Sequence, residues 1–433
     1  MRLKIENIAK VASADIKLNG ITVIAGENNT GKSTVGKVLF SLLNCFYNID
    51  HSIIEERVNE IYQKIKMFRM LNNILSKNNY LYSYSAELIS KRAIRDFIIS
   101  YLPRENISFD NVRIFLESII KNYVNDINFE QTAYVSFIKE IKNILSIDDD
   151  AVKKIIVDRQ FSSEFNSQIN NLNDIQSIGK ISLDTDIKEK SNKISFETNK
   201  CVEASSDFVS ETEAIYIDNP FVLDNLKFFS VSEDENEYYH HLDILRCKLS
   251  ADNKNSVVSE AINREKLSKV QNVISSVVSG DFIRSKDGFD NFDFIEKGTN
   301  RPLNLSNLST GLKTFVIIKR LIENDSITTG TVLILDEPEI HLHPEWQLIF
   351  AELLVLLQKQ FDLTLLINTH SPYFLSAVEV YAKRHEVEDR CSYYLAQLRD
   401  RGAVFEDVTI NTEKIYKKLA LPFQKLENLR YEA

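Results

Sequence analysis

The sequence predicts an α/β fold: a sheet with flanking helices, opened by a large, mainly helical insertion. Three observations point to it. An apolar, β-branched run at residues 21–24 ends in a Gly-x-x-x-x-Gly-Lys-Ser loop and passes at once into a helical pattern, with Val35, Val38, Leu39, Leu42 and Leu43 at helix spacing. Two further apolar runs, residues 331–335 and 365–367, read as buried strands that end in polar residues. From about His51 to Gln160, by contrast, only helical periodicity recurs.

Composition sets the bounds. The chain has 433 residues, a length that suggests two or three domains, and it is 44% hydrophobic and 26% charged, as in an ordinary globular protein. No apolar run approaches the roughly 18 residues of a membrane span. The opening Met1-Arg-Leu-Lys-Ile-Glu lacks the apolar block of a signal peptide. Cys45, Cys201, Cys247 and Cys391 are scattered without a Cys-x-x-Cys pair, so reduced thiols in a cytoplasmic protein are expected, with no membrane partner. A net charge of −10 argues against a protein that coats polyanions, while leaving room for a local basic groove.

Taken in order, residues 2–8 and 14–18 alternate apolar and polar and read as two short strands. Asn19-Gly20 is a tight turn into the phosphate-loop strand. The insertion is drawn over 51–204, between two parts of one domain at 1–50 and 205–433. Its apolar residues (Ile54, Val58, Ile61, Ile65, Phe68; Leu88, Ile94, Phe97, Ile98; Val112, Phe115, Ile119, Ile120; Val135, Phe137, Ile138, Ile141, Ile144) sustain no heptad long enough for a coiled-coil rod. Tyr80, Tyr82, Tyr84 and Lys91-Arg92-x-x-Arg95 could suggest a nucleic-acid surface. A solvated helix face with its aromatics in the core accounts for them better. Residues 161–185 read as a polar loop overlapping a first short strand at 181–183, with an edge strand at 193–199 after a turn near Glu189. Residues 214–218 read as a buried strand ended by Asn219-Pro220. Residues 233–270 return to helix after the acidic run 233–237. Short strands marked by Phe282, Phe289, Phe292 and Phe294 follow. Residues 391–398 and 403–408 read as last strands, and 415–429 as a closing helix. No repeat of fixed period is visible.

Four motifs carry chemistry. In the loop Gly26-Glu-Asn28-Asn29-Thr30-Gly31-Lys32-Ser33-Thr34, the glycines let the backbone curl so that successive N–H groups point at phosphate oxygens. The helix that follows adds its positive end. Lys32 can reach the β- and γ-phosphates of ATP, and the Ser33 hydroxyl can ligate Mg²⁺. The strand at 331–335 delivers Asp336 and Glu337, the first suited to Mg²⁺ and the second to polarising an attacking water. Ser309-Thr310-Gly311 opens a helical run and could form a second anion cradle. The last strand delivers His370, which could contact the γ-phosphate or hold the water. His341 and His343 invite comparison with a metal pair, but no third ligand cluster accompanies them.

These four pieces, in this order, resemble the ABC-type ATPases that include SMC proteins, RecF and the OLD-family ATPases. The phrase Asp336-Glu-Pro-Glu-Ile-His-Leu-His-Pro344, followed by Asn368-Thr-His-Ser-Pro372, is most similar to the OLD-like branch, labelled AAA15 or AAA21. That branch supplies ATPase subunits of bacterial anti-phage systems such as Septu and PARIS. The resemblance covers about 1–50 and 205–410. It implies an ABC-type P-loop sheet and a head-to-head homodimer, open to higher assembly, with ATP on Lys32 and Ser33 closed over by Ser309, Thr310 and Gly311 of the other copy. It also implies hydrolysis by Glu337 with His370 as switch histidine, and a sensor or scaffold role over a separate effector such as a nuclease or toxin. The signature departs from the Ser-Gly-Gly-Gln of transporters but keeps its Ser and Gly. No glutamine-loop residue is evident, with Asp218 and Asn219 as candidates. Residues 371–433 are too few for the Toprim nuclease of OLD proteins, which needs about a hundred residues. A DNA-binding repair or chromosome-maintenance ATPase of the SMC or RecF type is the alternative. A transporter's nucleotide-binding subunit fits less well.

Overall fold

The structure is a computed structural model, and it describes residues 1–75, 91–101, 108–120, 132–185, 190–210, 213–226, 240–251, 268–285 and 292–432. The chain divides into two compact units, Met1–Tyr47 with Ile156–Ala433, and Asn48–Ile155.

The first unit is built on an eleven-stranded sheet. β1 (Arg2–Ile8) and β2 (Val11–Lys17) alternate buried and exposed residues, as one-sided strands must, and pair antiparallel. β3 (Ile21–Gly26) is buried along its whole length because it lies in the parallel part of the sheet, covered on both faces. β4 (Gly179–Asp184), β5 (Ser191–Glu197) and β6 (Lys200–Ser206) extend the sheet outward from β1, and β7 (Ala214–Ile217) forms the opposite edge. β8 (Gly280–Arg284), β9 (Phe292–Glu296) and β10 (Leu303–Asn304) make a separate antiparallel sheet. β11 (Val332–Asp336), β12 (Thr364–Thr369), β13 (Cys391–Arg399) and β14 (Gly402–Asp407) complete the main sheet, whose order is β6-β5-β4-β1-β2-β14-β13-β3-β12-β11-β7.

The five strands β13, β3, β12, β11 and β7 run parallel. Parallel strands need crossovers: the helix Pro344–Phe361 links the neighbours β11 and β12, and the helix Pro372–Arg384 carries the chain from β12 past β3 to β13. Both helices begin with proline after a side-chain cap, from His343 and Ser371 respectively. Phe315, Phe350 and Phe374 are fully buried and pack in sequence, Phe315 edge-on to Phe350 at 5.2 Å and Phe350 stacked on Phe374 at 6.4 Å between ring centroids. Each such burial is worth about 1.5–3 kcal/mol.

Every regular element described in the second unit is a helix. It includes the helices Ile49–Leu75, Lys91–Tyr101, Phe109–Ile120 and Thr132–Leu145 around a core of Val58, Ile61, Ile94, Phe97, Val112 and Ile141. Phe97 stacks on Phe115 at 3.8 Å and Phe68 on Phe137 at 4.3 Å. Arg95 is ion-paired with Glu55, and the Lys91 ammonium sits 5.6 Å above the Tyr62 ring. These basic residues therefore pair within the unit. Tyr80, Tyr82, Tyr84, Leu88, Glu189, the run 233–237 and Phe289 lie outside the described residues.

Two boundaries differ from the sequence reading. The insertion drawn to residue 204 ends at Ile155, because β4 hydrogen bonds to β1 from Arg2↔Asp184 to Glu6↔Lys180 and brings β5 and β6 into the main sheet. The polar stretch 161–185 is only partly a loop: the helix Asp149–Phe165 enters it and β4 leaves it. Among the described residues, no helix is long and apolar enough to cross a membrane.

Candidate functional site

The carboxyl ends of β3, β12, β11 and β7 lie side by side, since Thr369 is in register with Ala25, Asp336 with Asn368 and Leu335 with Ile217. Ligands of open α/β sheets bind at such ends. The four chain segments that leave these strands are the glycine loop, the Thr369–His370 corner, the Asp336–Glu337 pair and Asp218.

The glycine loop is shaped by its neighbours. A Cβ on Gly26 would lie 2.6 Å from the Ala396 carbonyl oxygen of β13, so only glycine fits there. Gly31 has φ +75° and precedes the helix Lys32–Phe46, whose first turn has no side-chain cap. Its free N–H groups are therefore available to an anion. Asn29 adopts φ +66° and accepts a hydrogen bond from Lys10, and the Thr30 hydroxyl donates to the Glu27 carbonyl at 2.8 Å. Asn28 and Asn29 are exposed, Ser33 and Thr34 half-buried. Lys32 is only 4% exposed and donates to the carbonyls of Gly26, at 3.1 Å, and Glu27, at 2.8 Å. Burial lowers the pKa of its ammonium, and Glu337, Asp336 and Glu339 oppose that shift.

The Asp336 carboxylate accepts from the Asn368 amide at 2.9 Å and from the Tyr216 hydroxyl at 3.0 Å. Burial, with Asp336 beside it, pushes the Tyr216 phenol well above its ordinary range, so it stays a donor. Glu337 follows with φ +51°, a left-handed conformation that costs a non-glycine residue about 1–2 kcal/mol. Its N–H is anchored on the Asn368 carbonyl at 2.9 Å, and its carboxylate lies 3.0 Å from His370 Nε2. Strain held in this way recurs at functional sites. Glu339 is buried and organises the corner after β12. Its Oε1 accepts from the Thr369 hydroxyl and from the backbone N–H groups of His370, at 3.2 Å, and Ser371, at 3.3 Å. Burial raises its pKa, and the hydrogen bonds from Thr369 and the His370 backbone partly offset this.

Three buried polar atoms here have no partner: Asn368 Oδ1, His370 Nδ1 and Glu339 Oε2. Native interiors satisfy such atoms, so the site is suited to further polar occupants. An uncapped helix start, a buried ammonium, a hydroxyl and a carboxylate fit a nucleoside triphosphate with a hard divalent cation on Ser33 and Asp336.

The signature residues lie elsewhere. Ser309 is exposed and caps the helix Thr310–Glu323 through Leu312 N–H, Thr310 is half-buried, and Gly311 is pressed against His341 and Trp346. A Cβ on Gly311 would lie 2.9 Å from the His341 carbonyl oxygen. Asp218 and Asn219 share a cleft with Asp336 and Glu337, while Asn219 also caps the turn Pro220–Asn225. His343 caps a helix and His341 packs edge-on to Phe221. Cys45 and Cys391 are buried thiols.

Tyr216, Asn368 and Glu339 were not among the sequence candidates. The available signal is a polar side chain within an otherwise apolar buried strand for Tyr216, an amide at the end of the apolar run 365–367 for Asn368, and a third carboxylate after the acidic pair for Glu339. Tyr216→Phe should destabilise the fold by about 1–3 kcal/mol, since it removes a buried hydrogen bond to a carboxylate. Denaturant unfolding of the variant against the unaltered chain checks this.

Among solved structures, the chain is similar to an SMC head bound to the C-terminal winged-helix domain of ScpA, at 10% identity and TM-score 0.44, covering 95% of this chain and 98% of that one. It is also similar to the SMC head domain of Thermotoga maritima (11%, TM-score 0.37, 94% and 98%) and to an SMC head with an extended coiled coil bound to the C-terminal domain of ScpA, from Pyrococcus furiosus (11%, TM-score 0.40, 99% and 98%). The family model described as "AAA domain, putative AbiEii toxin, Type IV TA system" matches residues 21–376, from the start of β3 to within the helix after His370. The chain belongs to this family of AAA-domain P-loop ATPases.

Proposed function

We propose that this chain binds and hydrolyses ATP with Mg²⁺ as the ATPase subunit of a bacterial anti-phage defence system, and that it controls a separate effector such as a nuclease or toxin. The observation that carries the ATPase part is the meeting of Lys32, Asp336, Glu337 and His370 at the ends of adjacent parallel strands. The defence part draws on the family description, which names a toxin of a toxin–antitoxin system.

In this reading the uncapped helix start and Lys32 take the phosphates. Ser33 and Asp336 would hold Mg²⁺, which supplies charge neutralisation on the transferring phosphoryl group. Glu337 accepts a proton from the attacking water, and His370, 3.0 Å from its carboxylate, orients it. Tyr216 and Asn368 fix the two oxygens of Asp336.

The exposed Ser309 at the head of a capped helix supports a homodimer in which each copy's Ser309, Thr310 and Gly311 close over ATP bound to the other. Glu337→Gln, which would bind ATP without turning it over, should then shift from monomer to dimer on addition of Mg-ATP. Light scattering, repeated after co-expression with the products of flanking genes, checks this. A protein that stays monomeric at saturating ATP contradicts the sandwich. A stable complex with a nuclease or toxin supports the defence reading, whereas DNA-stimulated hydrolysis without a partner would move it to the repair class.

A further inference from the structure

Behind the site lies a buried polar cluster that the motifs do not use. Glu164, at the end of the helix Asp149–Phe165, has a side chain with no exposure. Its Oε1 lies 2.7 Å from His241 Nδ1, and its Oε2 accepts the His241 backbone N–H at 3.2 Å. The other ring nitrogen, Nε2, lies 3.0 Å from Asp218 Oδ2. The imidazole also packs on the Tyr216 ring, with centroids 4.6 Å apart, and meets Phe40 edge-on at 6.0 Å. Phe40 belongs to the helix that begins at Lys32, and Tyr216 holds Asp336. One side chain thus touches two elements that shape the site, the helix that begins at Lys32 and the end of β7.

We infer that His241 is a positioning residue for the ATPase site: gripped by Glu164, it holds the Asp218 carboxylate and the Tyr216 ring, and through them the orientation of Asp336. This rests on the ATPase reading above. Asp218 follows β7 at the level of Asp336 on β11, so its placement governs the polar wall facing the cation ligand. A residue that fixes a ligand's neighbours orients that ligand without touching the cation.

The charges favour pairing over a metal. Ligand atoms of Glu164, His240 and His241 all lie within 4.8 Å of one another, close enough for a cation. Yet two carboxylates, Glu164 and Asp218, already face two cations, the His241 imidazolium and Lys37, whose ammonium is 3.4 Å from Glu164 Oε1. Burial alone would lower the His241 pKa, but the hydrogen bonds with Asp218 and Glu164 outweigh it and raise it to about 9. Burial would raise that of Asp218, and the hydrogen bond from His241 brings it below the ordinary carboxylate value. Tyr216, pushed well above its ordinary range, stays neutral, and burial lowers the pKa of the adjacent His240.

The test compares the full chain with Glu164→Gln/His241→Gln, which removes the buried pair together and leaves neither partner as an isolated charge, and with Asp218→Ala, which alters only the half-exposed end of the relay. The double variant should bind ATP without Mg²⁺ as the unaltered chain does. Both variants should need more Mg²⁺ for half-maximal hydrolysis and lose activity, by about 10- to 100-fold in the double variant, as outer-shell changes do. The stability that His241 contributes is complete below its unfolded pKa of about 6.5 and is lost as pH rises through its folded value of about 9. The melting temperature of the unaltered chain should fall over that interval by more than that of the double variant. Unchanged Mg²⁺ dependence and turnover in a folded Asp218→Ala overturn the positioning role alone. Stoichiometric Zn²⁺ that co-purifies with the chain and is lost from the double variant overturns it in favour of a metal site. An unaltered chain that neither binds nor hydrolyses ATP overturns the ATPase reading, and the positioning role with it.

Discussion

Glu337→Gln should bind ATP as tightly as the unaltered chain and hydrolyse it about 10²- to 10⁴-fold more slowly, the range a positioned general base contributes. The substitution is nearly isosteric. The left-handed backbone at 337 is held by the Asn368 carbonyl, not by the side chain, so it should persist. The amide oxygen can still accept from His370 Nε2, so the corner after β12 keeps its shape. What is lost is the capacity to take a proton from water. Steady-state phosphate release and nucleotide titration, measured on the same preparations, separate the two effects. A parallel fall in affinity would mean that the change had disturbed the loop instead of the chemistry.

Lys32→Ala should lose ATP affinity by about 10- to 100-fold, the worth of one hydrogen bond to a charged group at about 1.5–3 kcal/mol. In the structure the ammonium spans the loop, bonded to the carbonyls of Gly26 and Glu27. It is the buried positive charge opposite Asp336, Glu337 and Glu339. Its removal takes away a cation that interacts with all three carboxylates, which further disfavours a polyphosphate. Fluorescent-nucleotide binding checks this, with circular dichroism as the control for folding. Unchanged affinity would overturn the assignment of the loop.

Much of this site is legible in the sequence because its parts are local. A strand, a glycine loop and a helix start are contiguous in residues 21–46, and the acidic pair and His370 each follow directly on a buried strand. Parallel pairing then aligns those strand ends without further instruction. The unread parts are non-local. Whether β4 to β6 belong to the insertion or the main sheet depends on an edge pairing with β1, across more than a hundred intervening residues, that no periodicity reveals. Glu164, Asp218 and His241 come from separate elements, and only their packing makes them a unit. Tyr216 and Asn368 stand out as polar residues in apolar strands, but their common partner Asp336 is visible only once β7, β11 and β12 are adjacent.

Whether these strand ends form one ATPase site is decided by a single-turnover experiment with γ-labelled ATP and Mg²⁺ at excess protein. The unaltered chain should release the label as phosphate, Glu337→Gln should retain it in bound ATP, and Lys32→Ala should leave it largely free in solution. Equal rates of release from all three proteins, or no bound or hydrolysed ATP with the unaltered chain, would contradict that assignment.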